Sequence, residues 1–414
     1  MKPKLLTTLE TYDRAQFAHD ALAGATVALV ALPLSIAIAI ASGAPPAAGL
    51  VTAVVGGLLI SALGGSRVQI GGPTGAFIVV VYGIIARHGL PGLQLATLMA
   101  GAILLVGGLL NAGRLIRLIP EAVVEGFTIG IAVVIAASQL KDLAGLQTGA
   151  LPADFGPKME GLWAARATFD GPSLALGVLT LAGILAVRRY APRFRARAAV
   201  VLVLSAVAWF AMPTVATVTS QFGALPHGLP WPHLPPVSAR LVFDLLPSAV
   251  TIALLAGIES LLSALVADRM IGGTHRTSAE LLAQGAANIA SPLFGGLPAT
   301  GAIARTATNV DAGGRTPVAG MVHALLILAA MALLAPLAGA LALPTLAGLL
   351  VITAWNMSEP HRWRERLAMP RWEFALLLLT AAMTVLVDLT AAIATGTVLG
   401  LAMQWWQRRK VAAT

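Results

Sequence analysis

The chain has 414 residues, of which 57% are hydrophobic and 11% charged, and it carries a formal net charge of +9. A soluble domain of this size needs about 25% charged residues to cover its surface, so a mean hydropathy of +0.85 excludes a water-facing fold and describes an all-α, polytopic membrane protein. With no cysteine, disulfides and thiolate metal sites are excluded as well.

The segment 1–20 is polar and lacks the basic, apolar and small-residue regions of a secretory signal. Apolar runs bounded by charge, Pro or Gly then predict fourteen spans: 21–42, 47–64, 74–87, 92–112, 121–139, 172–189, 198–212, 244–267, 279–293, 300–312, 316–339, 342–356, 373–388 and 391–407. The basic residues sort by loop. Lys2, Lys4, Arg14, Arg114, Arg117, Arg188, Arg189, Arg193, Arg195, Arg197, Arg315 and the arginines at 269, 276, 362, 364, 366 and 371 fall on one side, with Arg408, Arg409 and Lys410. The other side holds Arg87, Lys141, Lys158, Arg166 and Arg240. That asymmetry makes the basic side cytoplasmic, puts both termini there, and assigns the charge to topology rather than to nucleic acid. Most tryptophans, Trp163, Trp209, Trp231 and Trp355 among them, fall at span ends or in loops.

Two spans, 74–87 and 300–312, are shorter than the roughly 20 residues a bilayer requires. Each follows a Gly/Pro-rich extended stretch, 68–73 and 295–299, which reads as a short strand leading into a half-helix that starts in mid-membrane. Thr74-Gly75-Ala76-Phe77 recurs as Thr300-Gly301-Ala302-Ile303, and Asp20 before the first span recurs as Asp244 before the eighth, at nearly equal spacing. With seven spans per half, the second copy enters from the opposite side, so the pattern predicts an inverted repeat whose paired, interrupted segments mark a transporter's substrate site.

Half-helix starts in mid-membrane expose unpaired N–H groups and a positive dipole end, and two facing ones suit an anion. Thr74 and Thr300 are placed as N-caps or as hydroxyl donors to a ligand, and Phe77 as pocket wall or core. Arg305, inside the second half-helix, reads either as a source of field for an anion or as a structural ion-pair partner. Glu259 lies near the centre of the 244–267 span. A desolvated carboxyl can exchange a proton near neutral pH; the alternatives are a fixed partner of Arg305 or a neutral hydrogen-bonding group. Asp388 reads as a cap of the last span, and Asp268-Arg269 as a loop contact. His227 and His233, in a Pro-rich loop, lack a third metal ligand. No phosphate-binding loop, nucleophile elbow or His/Cys cluster is present, so no enzyme activity, cofactor or metal is expected.

The sequence resembles the sulfate permease (SulP) family over nearly its whole length. The resemblance rests on Asp20-x-x-Ala23-Gly24 through Leu32-Pro33, Pro46-x-x-Gly49-Leu50, Gly64-Gly65-Ser66-Arg67 and residues Gly72 to Phe77. Further on it rests on Gly257 to Leu262, Ala283 to Asn288 and Pro298 to Thr306. It departs at Ala48 and Val51, where the family favours Tyr, at Leu34 where many members have Gln, and at Ala304 where many have Ser.

The resemblance implies the uracil-permease-like fold, fourteen segments in a seven-plus-seven inverted repeat. A core domain (21–112 and 244–339) would move against a gate domain (113–212 and 340–407), with an extracellular loop at 213–243 and cytoplasmic ends at 1–20 and 408–414. It implies a substrate site of Thr74, Gly75, Ala76, Phe77, Thr300, Gly301, Ala302, Ile303 and Arg305, with Glu259 as the coupling acid. The substrate would be sulfate, bicarbonate or another small inorganic anion, or a C4-dicarboxylate, with proton coupling, in the bacterial inner membrane. A homodimer is among the assemblies this reading allows. The rivals are a nucleobase permease of the same fold, a passive anion channel and a non-transporting scaffold. Most members add a cytoplasmic STAS domain; the sequence ends at Thr414, just after the last span, as expected of either a shortened or a naturally minimal form.

Overall fold

The structure, a computed structural model, describes residues 2–113, 120–149, 151–190, 197–387 and 389–412. Asp388, and Arg114, Arg117, Arg193 and Arg195 of the basic loops, lie outside the described residues.

The spans follow in chain order close to their expected places. They are α1 (Arg14–Ala41), α2 (Pro46–Leu63), β1 (Gly71–Gly72), α3 (78–88), α4 (90–109), α5 (Glu121–Ser138), α6 (Gly171–Tyr190), α7 (Arg197–Ala211) and α8 (Ala239–Ile271). After α8 come α9 (Thr277–Leu293), β2 (Thr300–Gly301), α10 (Ile303–Asp311), α11 (Pro317–Leu333), α12 (Leu343–Met357), α13 (Arg371–Leu386) and α14 (Leu389–Ala412). The helix Ile78–Leu109 is divided into α3 and α4 at Gly89, whose φ of 69° breaks the helical path. α1 and α8 begin earlier than hydropathy predicts because a polar cap, not the first apolar residue, starts a helix. Asp13 accepts from the Gln16 N–H at 2.8 Å and Ser238 from the Leu241 N–H at 3.2 Å. Val178 (51%), Val203 (60%) and Phe210 (86%) on α6 and α7 are exposed to what must be lipid rather than water.

Helix packing displays the inverted repeat. α1 lies along α11 as α8 lies along the α3–α4 rod, and α2 crosses α11 as α9 crosses α4. In the remaining helices α5 packs on α13 as α12 packs on α6, and α14 on α13 as α7 on α6. The two halves meet at β1 and β2. These pair antiparallel with Gly71 opposite Gly301 and Gly72 opposite Thr300.

Thr300 and Gly301 therefore belong to a strand and not, as the apolar run suggested, to the start of the half-helix, which begins at Ile303. The reason is backbone satisfaction, because non-helical chain inside the membrane must find partners within the protein. Ala302 N donates to Ile70 O at 2.9 Å. Asn288 of α9 acts as a surrogate strand neighbour, donating to Ala299 O at 2.8 Å and accepting from Ala299 N at 2.9 Å. Asn309 donates to Val68 O at 2.8 Å, and Thr306 Oγ1 accepts from Ile70 N at 3.1 Å. Where α2 passes the crossing it widens into a π-helical turn, Thr52–Gly56, and the Thr52 hydroxyl accepts from Leu297 N at 2.6 Å.

Lys4 N bonds Gly64 O at 2.9 Å and Arg276 Nη1 bonds Lys2 O at 2.8 Å, so the turns after α2 and α8 share the face of the N-terminus. A buried ion-pair cluster ties α5 to the α12–α13 linker. Glu125 meets Arg362 at 2.6 Å and Arg366 at 2.9 Å, and Arg366 is 1% exposed. Removing one partner of such a buried pair leaves the other charge desolvated. Glu125→Gln should therefore lower unfolding stability by about 3 kcal/mol. Glu121→Gln, which removes an exposed partner of the same Arg362, should cost less than about 1 kcal/mol. Thermal unfolding in detergent compares the two, and equal losses would contradict this ranking.

Candidate functional site

The two interrupted segments meet where the repeat predicts. After β1, Thr74 is extended (φ −128°, ψ 158°), the turn Gly75–Phe77 winds tightly, and α3 follows. After β2, Ala302 leads into α10. The amides of Gly75 and Ala76, and of Ile303 and Ala304, precede the first helical carbonyl acceptors, so no intrahelical bond satisfies them. Neither start has a side-chain cap, whereas α1, α8 and α11 are capped by Asp13, Ser238 and Thr316. Both threonines were candidates for that capping, and the structure assigns their hydroxyls elsewhere. Thr74 Oγ1 donates to Glu259 Oε2 at 2.9 Å and Thr300 Oγ1 to Ala256 O at 3.0 Å. Both partners are on α8, which thus holds the two broken segments side by side.

Glu259 is half-buried on α8, within reach of the first half-helix start. Arg305 is 3% exposed and does not close an ion pair onto it. The guanidinium turns back under the strands, where Nη2 donates to the Pro73 carbonyl, while Nη1 has no hydrogen-bonding partner among the described residues. Its position explains Gly72, which has a φ of 148° and whose Cβ, if present, would lie 3.3 Å from Arg305 Cζ. The site thus contains two uncapped, positively polarised helix starts, a guanidinium behind one strand and a carboxyl beside one start. That arrangement suits an anion whose approach can be balanced by a proton on Glu259. Phe77 is 2% exposed and belongs to the hydrophobic core; Ile303, at 38%, is the most open of the candidate residues. The opposite side of the site belongs to α5 and α12. A side chain at Gly75 would meet Met357 Sδ at 3.1 Å and Ile135 Cδ1 at 3.5 Å.

Sequence position did not mark Glu280, near the start of its span, which is fully buried on α9. It accepts from Gly65 N (2.9 Å), Ser66 N (3.2 Å), Ser260 Oγ (2.9 Å) and Gln284 Nε2 (2.8 Å). Ser260, next to Glu259, also accepts from Gln69 Nε2 at 2.9 Å, and Gln69 packs against Gly301. The signal for this network was the polar pair Gln284 and Asn288 inside an otherwise apolar span. His323 of α11 was missed too: it is fully buried, and neither ring nitrogen has a partner among the described residues. Asp268, on the last turn of α8, and the histidines of the Pro-rich loop fall outside the site. Asp268 Oδ2 pairs with His275 Nδ1 at 2.6 Å, His227 lies by Ala332 O at 3.4 Å and His233 by Gln94 at 3.3 Å.

Against known proteins, the model of the sulfate permease family matches residues 17–383. A Bacillus subtilis (strain 168) protein named as a sulfate transporter, YvdB, is 41% identical over 97% of this chain and 76% of its own length. The bicarbonate transporter BicA of Picosynechococcus is 30% identical over 91% of this chain and 68% of its own. Among solved structures, the transmembrane domain of a cyanobacterial BicA superposes with a TM-score of 0.83 at 28% identity, covering 92% of this chain and 98% of that one. SLC26A9 shares the fold, with a TM-score of 0.87 at 17% identity, over 98% of this chain and 68% of that one.

The crossing allows no side chain at Gly301, because a Cβ there would overlap the Gln69 amide. Gly301→Ala should destabilise by about 1–3 kcal/mol. Gly83→Ala, on α3 with nothing within 4 Å of the added atom, should be neutral or stabilising. Equal melting temperatures for the two variants would contradict the close approach.

Proposed function

The chain belongs to the sulfate permease family, and from that premise we propose that it is a secondary transporter. It carries a small anion, sulfate, bicarbonate or a C4-dicarboxylate, across a bacterial plasma membrane by alternating access. The observation that carries this reading is the pair of uncapped helix starts brought together by the β1–β2 crossing, with Arg305 behind them. Backbone N–H groups at two helix ends bind an anion without a direct ion pair to a side chain, and so can release it again.

In this reading α1–α4 and α8–α11 form a core (21–112 and 244–339) that moves against a gate of α5–α7 and α12–α14 (113–212 and 340–407). Support comes from the packing, since every candidate residue lies on the first group, and Ile135 and Met357 of the second face it across Gly75. Both termini are assigned to the cytoplasm, because Lys2, Lys4 and Arg276 gather on the face that the charge bias marks as inner.

Glu259 is the coupling group in this mechanism. An anion entering beside a carboxylate is repelled, and a proton taken up with it removes the repulsion. The Thr74 hydroxyl holds that carboxyl beside the helix start whose amides meet the substrate. Glu259→Gln, reconstituted in proteoliposomes, should abolish accumulation of labelled sulfate or bicarbonate driven by a pH gradient while sparing exchange. Because Arg305 bonds Pro73 rather than Glu259, the variant should also keep its thermal stability. A variant that still concentrates substrate overturns the coupling role. Arg305→Ala strips the Pro73 carbonyl of its donor, so both uptake per inserted protein and stability should fall, the latter by about 1–3 kcal/mol.

A further inference from the structure

On the face opposite the N-terminus, α3, α5, α8, α13 and α14 enclose a cavity of about 550 Å³. Two of its walls are the helices that bear the site. α3 contributes Val80, Ile84 and Arg87, a helical stripe that continues inward to Phe77. α8 contributes Asp244 and Ser248, a stripe that continues over Thr251 and Leu255 to Glu259. The facing walls, Val134, Thr384 and Ala394, come from helices that hold no candidate residue.

The charges at the mouth do not cancel locally. Asp244 has Arg240 Nε at 3.9 Å. Asp154 precedes the short helix Phe155–Ala164 one turn before Lys158, which lies 4.3 Å from the centre of the Tyr82 ring; burial lowers the Lys158 pKa, and Asp154 opposes that shift. Among the described residues each lining acid therefore has a basic neighbour. Arg87 is exposed, lines the cavity and forms no ion pair among the described residues. Beside it His88 adds a second nitrogen base and no negative charge.

We propose that this cavity is an antechamber to the substrate site and that Arg87 is its anion-selecting residue, drawing small oxyanions in at the mouth before they reach the helix starts. The proposal rests on the anion-transport reading, but its test does not. The full chain has no cysteine, so one introduced thiol reports alone. Gly83→Cys places it on α3 where an added Cβ meets nothing within 4 Å, and Ala394→Cys reports independently from the α14 wall.

The probes are an anionic sulfonatoethyl and a cationic trimethylammonium-ethyl methanethiosulfonate, each normalised to its rate with a free thiol. The anionic probe should react about tenfold faster at both positions, since Arg87, unpaired among the described residues, concentrates anions in the cleft by that order. Arg87→Gln should bring the ratio close to unity and Arg87→Lys should restore it. In proteoliposomes Arg87→Gln should raise the KM for sulfate or bicarbonate severalfold with little change in maximal rate. A probe ratio that Arg87→Gln leaves unaltered at both positions overturns the proposal. A ratio that depends on Arg87 in a protein taking up neither anion supports the antechamber and retracts the transport reading.

Discussion

A polypeptide that leaves the helical path inside a membrane must replace every backbone hydrogen bond it gives up, and this requirement organises the molecule. Two such strand interruptions occur among the described residues, and each is the other's partner: β1 and β2 pair with one another across the pseudo-twofold relation. Two residues of strand are not enough to satisfy both linkers. Asn288, Asn309, Thr306 and Thr52 supply the remainder, and Glu280 anchors the turn at Gly65 and Ser66 from below. Buried Thr52, Glu280, Asn288, Ser291, Thr306 and Asn309 are thereby accounted for as partners of displaced backbone.

The same constraint produces the site. Since each strand turns directly into a helix, two sets of N-terminal amides arise in the interior, and no side chain closes them. The hydroxyls positioned to do so are engaged with α8, on which Glu259 lies. Arg305 supports the crossing from behind, with its guanidinium on the Pro73 carbonyl. Its charge acts on the helix starts through the strand, a placement that provides positive potential there without an ion pair to Glu259.

Thr300 and Arg305 illustrate how far residue type and position can be interpreted unaided. Thr300 heads an apolar run after a proline, which is the pattern of a helix cap, yet the pairing of Gly72 with Thr300 draws it into a strand and moves the helix start to Ile303. Arg305 and Glu259 are opposite charges in neighbouring buried segments, which on sequence alone are natural ion-pair partners. Their orientations differ because Glu259 turns to Thr74 and Arg305 to Pro73. Orientation about a helix axis depends on contacts hundreds of residues away, and no local pattern encodes it.

By itself the sequence determined the spans, the inverted repeat and the two interrupted segments, because hydropathy and Gly/Pro placement are local properties that bilayer thickness and backbone chemistry convert directly into structure. It also located the candidate residues, since an uncommon polar group in an apolar run has few roles open to it. Only the tertiary structure decided which of these groups touch. The Thr74–Glu259 bond, the turn of Arg305 beneath the strands, the Glu280 network and the burial of His323 arise where elements distant in sequence are packed together. Hydrogen-bond partners in that interior are selected by distance and direction in space, which a one-dimensional pattern does not contain.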